Sequence, residues 1–131
     1  MDVFGALDAA STGVQLGRVW MDATANNVAN VNTVRPAGQP PFRAQEVVAS
    51  SLPGLAGVTV SGIVAEGGAP DVVYDPENPL ADANGNVTRP KVDLTTEMTN
   101  MMLSTRLYQA NLSVMKQAEE SYRSALDIGK H

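Results

Sequence analysis

The chain has 131 residues, 44% of them hydrophobic, and a formal charge of −5, so it is long enough for one ordinary core but carries no basic field to attract nucleic acid or an anionic membrane surface. Cysteine is absent and the single histidine is the terminal His131, which excludes disulfides, thiolate metal sites and cysteine nucleophiles, and leaves no rigidly held imidazole for a triad. No stretch approaches the roughly 20 apolar residues of a membrane span, and Met1-Asp2-Val3-Phe4-Gly5 lacks the basic start and apolar run of a cleaved secretory signal.

The first segment, residues 3 to about 31, places small and apolar residues at Val3, Leu7, Ala10, Val14, Gly17, Met21, Thr24, Val28 and Val31, at gaps of four and three. That is the seam of a helix facing a partner helix. Ala10 and Gly17 make the seam narrow, so a partner backbone can come close while little apolar area is buried. The segment runs into Ala25-Asn26-Asn27-Val28-Ala29-Asn30-Val31-Asn32-Thr33. Asparagine favours helix ends and turns, so these residues read either as a helix C-terminus or as a surface on which Asn26 and Asn30, one turn apart, offer amides to neighbouring subunits.

Residues 32 to 92 hold all eight prolines and most of the glycines, which forbids long helices there. Extended segments are expected at residues 42–49, 58–65, 72–74 and 87–88. Val58, Val60 and Val64 should share a face, with Gly62 between them as a bulge. Asn84-Gly85 is a turn signal of the type I′ hairpin class. Asp82, Asn84 and Asn86 copy the opening spacing of a calcium loop, but Val87 stands where such a loop needs glycine and Pro90 where it has a polar ligand.

The last segment, 94 to 129, repeats the heptad pattern at Leu94, Met98, Met101, Thr105, Tyr108, Leu112, Met115, Glu119, Tyr122 and Leu126, uninterrupted by proline or glycine before Gly129. Asp93 is the expected N-cap. A continuous helix would be about 50 Å long, which points to a bundle or a fibre. Met98, Met101, Met102 and Met115 serve equally as core filler or as an adaptable binding face. Glu119 and Glu120 are adjacent on the helix and diverge, so they make no acid/base pair. The sequons at Asn86 and Asn111 are short enough to arise by chance. Nothing calls for a cofactor, a metal or a small-molecule substrate.

The expected fold class is mainly α with a β insertion. Long N- and C-terminal helices pair as a coiled coil, residues 1–33 and 93–131 forming one discontinuous domain, and a small hairpin-rich β module of residues 34–92 stands between them.

Several blocks together resemble the axial proteins of the bacterial flagellum, and within them the proximal-rod proteins. The asparagine run is similar to the N-terminal signature of that family. Pro41-Phe42-Arg43-Ala44, Val47-Val48, Tyr74-Asp75-Pro76-Glu77-Asn78-Pro79-Leu80-Ala81-Asp82, Val92-Asp93-Leu94 with Glu97-Met98, and Tyr108-Gln109-Ala110-Asn111 follow in family order. Val28 and Val31 depart mildly, standing where leucine and alanine are commoner. The resemblance implies a structural rod subunit that is not an enzyme. Such a subunit is exported by the flagellar type III apparatus without a cleaved signal and polymerises in the periplasm with other copies of itself and other flagellar rod proteins to transmit torque. The subunit interface would then take Leu7, Val14, Met21, Val28, Leu94, Met98, Met101, Tyr108, Leu112, Met115, Tyr122 and Leu126. The family signature falls on Asn26, Asn27, Asn30, Asn32, Thr33, Tyr108, Gln109 and Asn111. The competing reading is a helical adaptor or chaperone that binds partner helices without polymerising.

Overall fold

The computed structural model describes residues 3–129, so His131 lies outside it, and the side chains of Val3 and Leu55 are not described. Helix α1 spans Val3–Ala29 and helix α2 Leu94–Ile128. Five strands lie between them: β1 Arg35–Pro36, β2 Gln45–Ser51, β3 Val58–Ala65, β4 Asp71–Tyr74 and β5 Asn86–Arg89.

The helices run antiparallel, with Phe4 against Tyr122 near one end and Asn27 bonded to Glu97 near the other. Small residues set their separation. A Cβ placed on Gly17 would stand 3.1 Å from the backbone of Tyr108, and one on Gly13 would fall within the side chain of Asn111. Ala10, Gly13, Gly17 and Thr24 are buried on this face of α1, and Ser104 is fully buried on α2. Dispersion contacts between closely approached backbones therefore hold the pair as much as large apolar side chains do.

Each helix end has a chemical cause. Asp93 caps α2, its carboxylate accepting from the Thr95 amide at 3.0 Å and the Thr96 hydroxyl at 2.7 Å. At the end of α1 the Asn30 side-chain amide donates to the Asn26 carbonyl at 2.8 Å, beside the backbone N–H of Asn30 that reaches the same oxygen at 3.2 Å.

β2 and β3 form a two-stranded antiparallel ribbon, closed by Leu52 N–H donating to Gly57 O. The register shifts between Val48 and Ala49, which face Gly62 and Val60, so Ser61 is the extra residue of the bulge. The bulge was expected at Gly62 and sits one residue earlier, where the Ser61 hydroxyl pairs with that of Ser50. The ribbon docks on the face of α1 that turns away from α2. Thr12 accepts the Val58 amide and donates to Ala9 O, and Gly57 passes so close to Thr12, at φ 106°, that a side chain there has no room. Val58 and Val60 line a groove with Leu16 and Val19, whereas Val64 is exposed beyond the bulge.

The second sheet has the order β1-β5-β4 with both pairings antiparallel. Val87 of the central strand is fully buried. The β4–β5 connection, residues 75–85, is built from side-chain-stapled turns. Asn78 donates to the Asp75 carboxylate and accepts from the Leu80 amide, and Asp82 Oδ1 accepts from the amides of Asn84 and Asn86. The Gly85 amide donates to Asp82 O, and Gly85, the one glycine of this loop, takes a positive φ of 75°. Asn84-Gly85 is thus not the two-residue centre of a type I′ turn. Residues 82–85 form a four-residue turn ending in a left-handed glycine, because the Asp82 carboxylate is held by the loop amides.

Candidate functional site

Two surfaces invite functional reading: a buried polar junction between the helices and β2, and the outward faces of α2. The junction is centred on Asn27, only 1% exposed. Its amide nitrogen donates to Gln45 O at 2.9 Å and to Glu97 Oε2 at 3.1 Å, and its oxygen accepts from Gln45 N at 2.7 Å. One side chain thereby ties α1, β2 and α2 together, with both donor hydrogens used. Asn26 adds a bond to the Gln45 side chain at 3.1 Å, and Asn30 Oδ1 accepts from the Thr33 hydroxyl. Within this chain the amides of Asn26, Asn27 and Asn30 all have internal partners, while Asn32 is exposed. The sequence pointed to Asn26 and Asn30 as the residues of interest. Asn27, which the resemblance places in the family signature, and the buried Glu97, which carried no site role, form the crossing point.

On α2 the residues facing α1 include Glu97, Thr105, Tyr108, Asn111 and Tyr122. Of the seam positions drawn from the sequence, Met101, Tyr108, Leu112 and Met115 are half-buried, as are Leu7, Val14, Met21 and Val28 on α1. Leu94, Met98, Tyr122 and Leu126 are exposed. The drawn stripe therefore straddles the packed face and one open flank. Leu94 and Met98 follow that flank, with Leu112 half-buried at its edge. A second apolar stripe, Leu103, Leu107, Ala110 and Val114 at gaps of four, three and four, follows the opposite side. Leu103 and Val114 are 48% and 45% exposed. Gln109 is exposed and Asn111 bonds back to the Leu107 carbonyl at 2.9 Å.

Among the described residues no group of three or more acidic or histidine side chains is placed to share a metal ion, and no helix is long and apolar enough to cross a membrane. Glu119 accepts from Arg123, an exposed pair one turn apart that contributes little to stability.

Comparison with known proteins places these features. Residues 7–36 match the family described as flagella basal body rod protein, and residues 83–128 match that described as flagellar basal body rod FlgEFG protein C-terminal. Over 135 residues the chain is 36% identical to the flagellar basal-body rod protein FlgC of Salmonella typhimurium, covering 99% of this chain and all of the relative. It is 38% identical to that of Escherichia coli O6:H1 over 136 residues and 32% identical to that of Bacillus subtilis over 150, with 99% of this chain and all of each relative covered. The chain belongs to the FlgC family of flagellar basal-body rod proteins. As a FlgC-family chain it is a structural subunit of the rod and belongs to the flagellar basal body. The two matched family regions fall on α1 with the asparagine run and on the segment from the β5 turn through α2, the two parts that pack together in the fold.

Proposed function

We propose that this FlgC-family chain builds the rod by packing the two open flanks of α2 against neighbouring subunits, and that its contribution is mechanical and not catalytic. The observation that supports this reading is the apolar character of α2 on three sides. One side is taken by α1, while Met98 on one flank and Leu103 with Val114 on the other remain exposed. A helix that served only its own fold would be apolar on one stripe. A helix surrounded by others in a tube would be apolar on several.

On this reading the pair formed by residues 1–33 and 93–131 acts as one unit and residues 34–92 form a β module beside it. The neighbours are other copies of the chain and other flagellar rod proteins. The exposed seam residues Leu94, Met98, Tyr122 and Leu126 contribute to the interface, while Met101, Tyr108, Leu112 and Met115 also support the internal helix pair. The chain reaches the rod through the flagellar type III export apparatus, and its charge of −5 gives nucleic acid no purchase.

The test is Val114→Asp. Because Val114 is 45% exposed, the isolated chain should keep its melting curve, whereas a carboxylate buried without a partner at a subunit interface costs several kcal/mol, roughly 3–5. The variant should be made and exported but missing from purified basal bodies, with loss of motility. Ser113→Asp, at an exposed position between the two stripes, should be incorporated. Normal incorporation of Val114→Asp would refute this packing surface.

A further inference from the structure

The strands between the helices fall into two parts that are held differently. The β2–β3 ribbon is bonded to α1 at both ends, through Asn27 to Gln45 and through Thr12 to Val58, and α1 is bonded to α2 through Asn27 and Glu97. Helices and ribbon therefore form one body. The hydrogen bonds of the three-stranded sheet and its 75–85 loop run within that unit, and among the described residues no hydrogen bond or ion pair joins it to the body. Four connections cross between the two, at residues 30–34, 37–44, 66–70 and 90–93. Three of them line a single cleft of about 220 Å³.

Prolines stiffen these connections, with Pro40 and Pro41 in the second, Pro70 at the end of the third and Pro90 in the fourth. Gly67 and Gly68 are different. A Cβ on either would meet nothing within 4 Å, and Gly68 takes φ 139°, a conformation that glycine reaches without strain. The seam is also chemically unfinished. Arg43 and Lys91 line the cleft together with Glu66 and Asp93, and none of the four is in an ion pair, since the one pair among the described residues joins Arg123 to Glu119. Arg89 Nε, where β5 leads into the last connection, is buried without a partner. A seam built for one fixed geometry rarely leaves such a donor empty.

We propose that Gly67-Gly68 is the hinge of a swivel, on which the three-stranded sheet turns as a unit against the body of helices and ribbon and so opens and closes the cleft. The sheet keeps its shape as it turns, because Val87 is fully buried within it and its long loop is stapled by Asn78 and Asp82. Such a motion needs only a few residues that absorb the change in φ and ψ. The two bases and two acids at the cleft are solvated when it is open and draw together when it closes, a balance that exposed charges strike at small cost. The swivel does not depend on the packing surface proposed above. Its use is in fitting unlike neighbours, since one subunit can then present its sheet at different angles to other copies and to other rod proteins.

The experiment measures distances by pulsed electron spin resonance in the dilute full-length chain, which has no cysteine of its own. Nitroxides are attached at Arg18→Cys with Glu77→Cys, across the seam, and at Arg18→Cys with Gln109→Cys, within the helix pair; all three positions are exposed. The pair across the seam should give a distance distribution roughly twice as wide as the pair within the helices. Gly67→Pro fixes φ at a residue whose N–H is not used by the ribbon. It should narrow the first distribution toward the second and leave the melting midpoint unchanged. Equal widths for the two pairs before the proline is introduced would overturn the swivel. A wide distribution that Gly67→Pro leaves as wide would overturn the placing of the hinge at Gly67-Gly68. Where proline lowers the midpoint, the comparison of the two widths alone decides. Both pairs are read in the isolated chain, so neither result bears on the rod assembly.

Discussion

Gly17 and Tyr108 approach until a Cβ on the glycine would meet the tyrosine backbone at 3.1 Å, which brings α1 and α2 close to backbone contact at Gly17. In an exposed helix Gly→Ala gains about 1 kcal/mol of propensity. Here the methyl must displace backbone, and overpacking of this kind costs about 1–3 kcal/mol. Gly17→Ala should therefore lower the thermal midpoint and Gly17→Leu should prevent folding of the pair. Gly67→Ala, with nothing within 4 Å of the new methyl, should be neutral or slightly stabilising. A midpoint for Gly17→Ala above wild type would show that the helices separate freely.

Asn27 cannot be replaced by its closest relatives. Asn27→Asp would set a carboxylate against Glu97 and remove the donor to Gln45 O, leaving acceptors facing acceptors. A loss of about 3 kcal/mol or more is expected from denaturant titration at neutral pH. Mutual repulsion raises the pKa of such a pair in the folded state, so the deficit should shrink as the pH falls and the shared site takes up a proton. A deficit that is constant with pH would mean that the two side chains do not meet.

The Asp93 cap gives a pH dependence of the opposite kind. The Thr96 hydroxyl, then the Thr95 amide, hold its carboxyl below the ordinary value of 3.8. Because the folded pKa is the lower one, the stabilisation is fully present above that ordinary value and disappears as the pH falls through the folded one. The protection of the Thr95 and Thr96 amides, taken relative to the intrinsic exchange rate at each pH, should fall in that window in the wild type. In Asp93→Asn, which caps without titrating, that protection should be nearly flat with pH.

Protection along α2 should be graded. Glu97 and Ser104 are buried, whereas every residue from 119 to 129 is exposed. In the dilute chain amide exchange should be slowest between residues 97 and 111 and fastest beyond 119, where little packing opposes local opening. In assembled basal bodies the fast segment should slow. Uniform protection along the isolated helix would contradict the grading.

Much of the fold is readable from residue pattern. Val58–Ala65 is a strand with the expected bounds, α2 starts after its expected cap, and the proline-rich middle is β. The phase of α2 was harder to read. Its packed face carries the drawn positions Thr105, Tyr108 and Tyr122 but also Glu97, Ser104 and Asn111, polar groups that a hydrophobic pattern does not pick out. The same cause hid the polar junction. Asn27 looks like one more helix-ending asparagine until Gln45, 18 residues on, and Glu97, 70 residues on, are brought to it.

That the first and last helices supply one another's packed face also governs when the molecule can fold. During synthesis α1 emerges with its glycine face uncovered and has no partner until α2 has been made, with residues 30–93, about half of the chain, between them. Closing so long a loop is entropically costly and is repaid only at the end. A chain truncated before α2 therefore leaves α1 without its packed face.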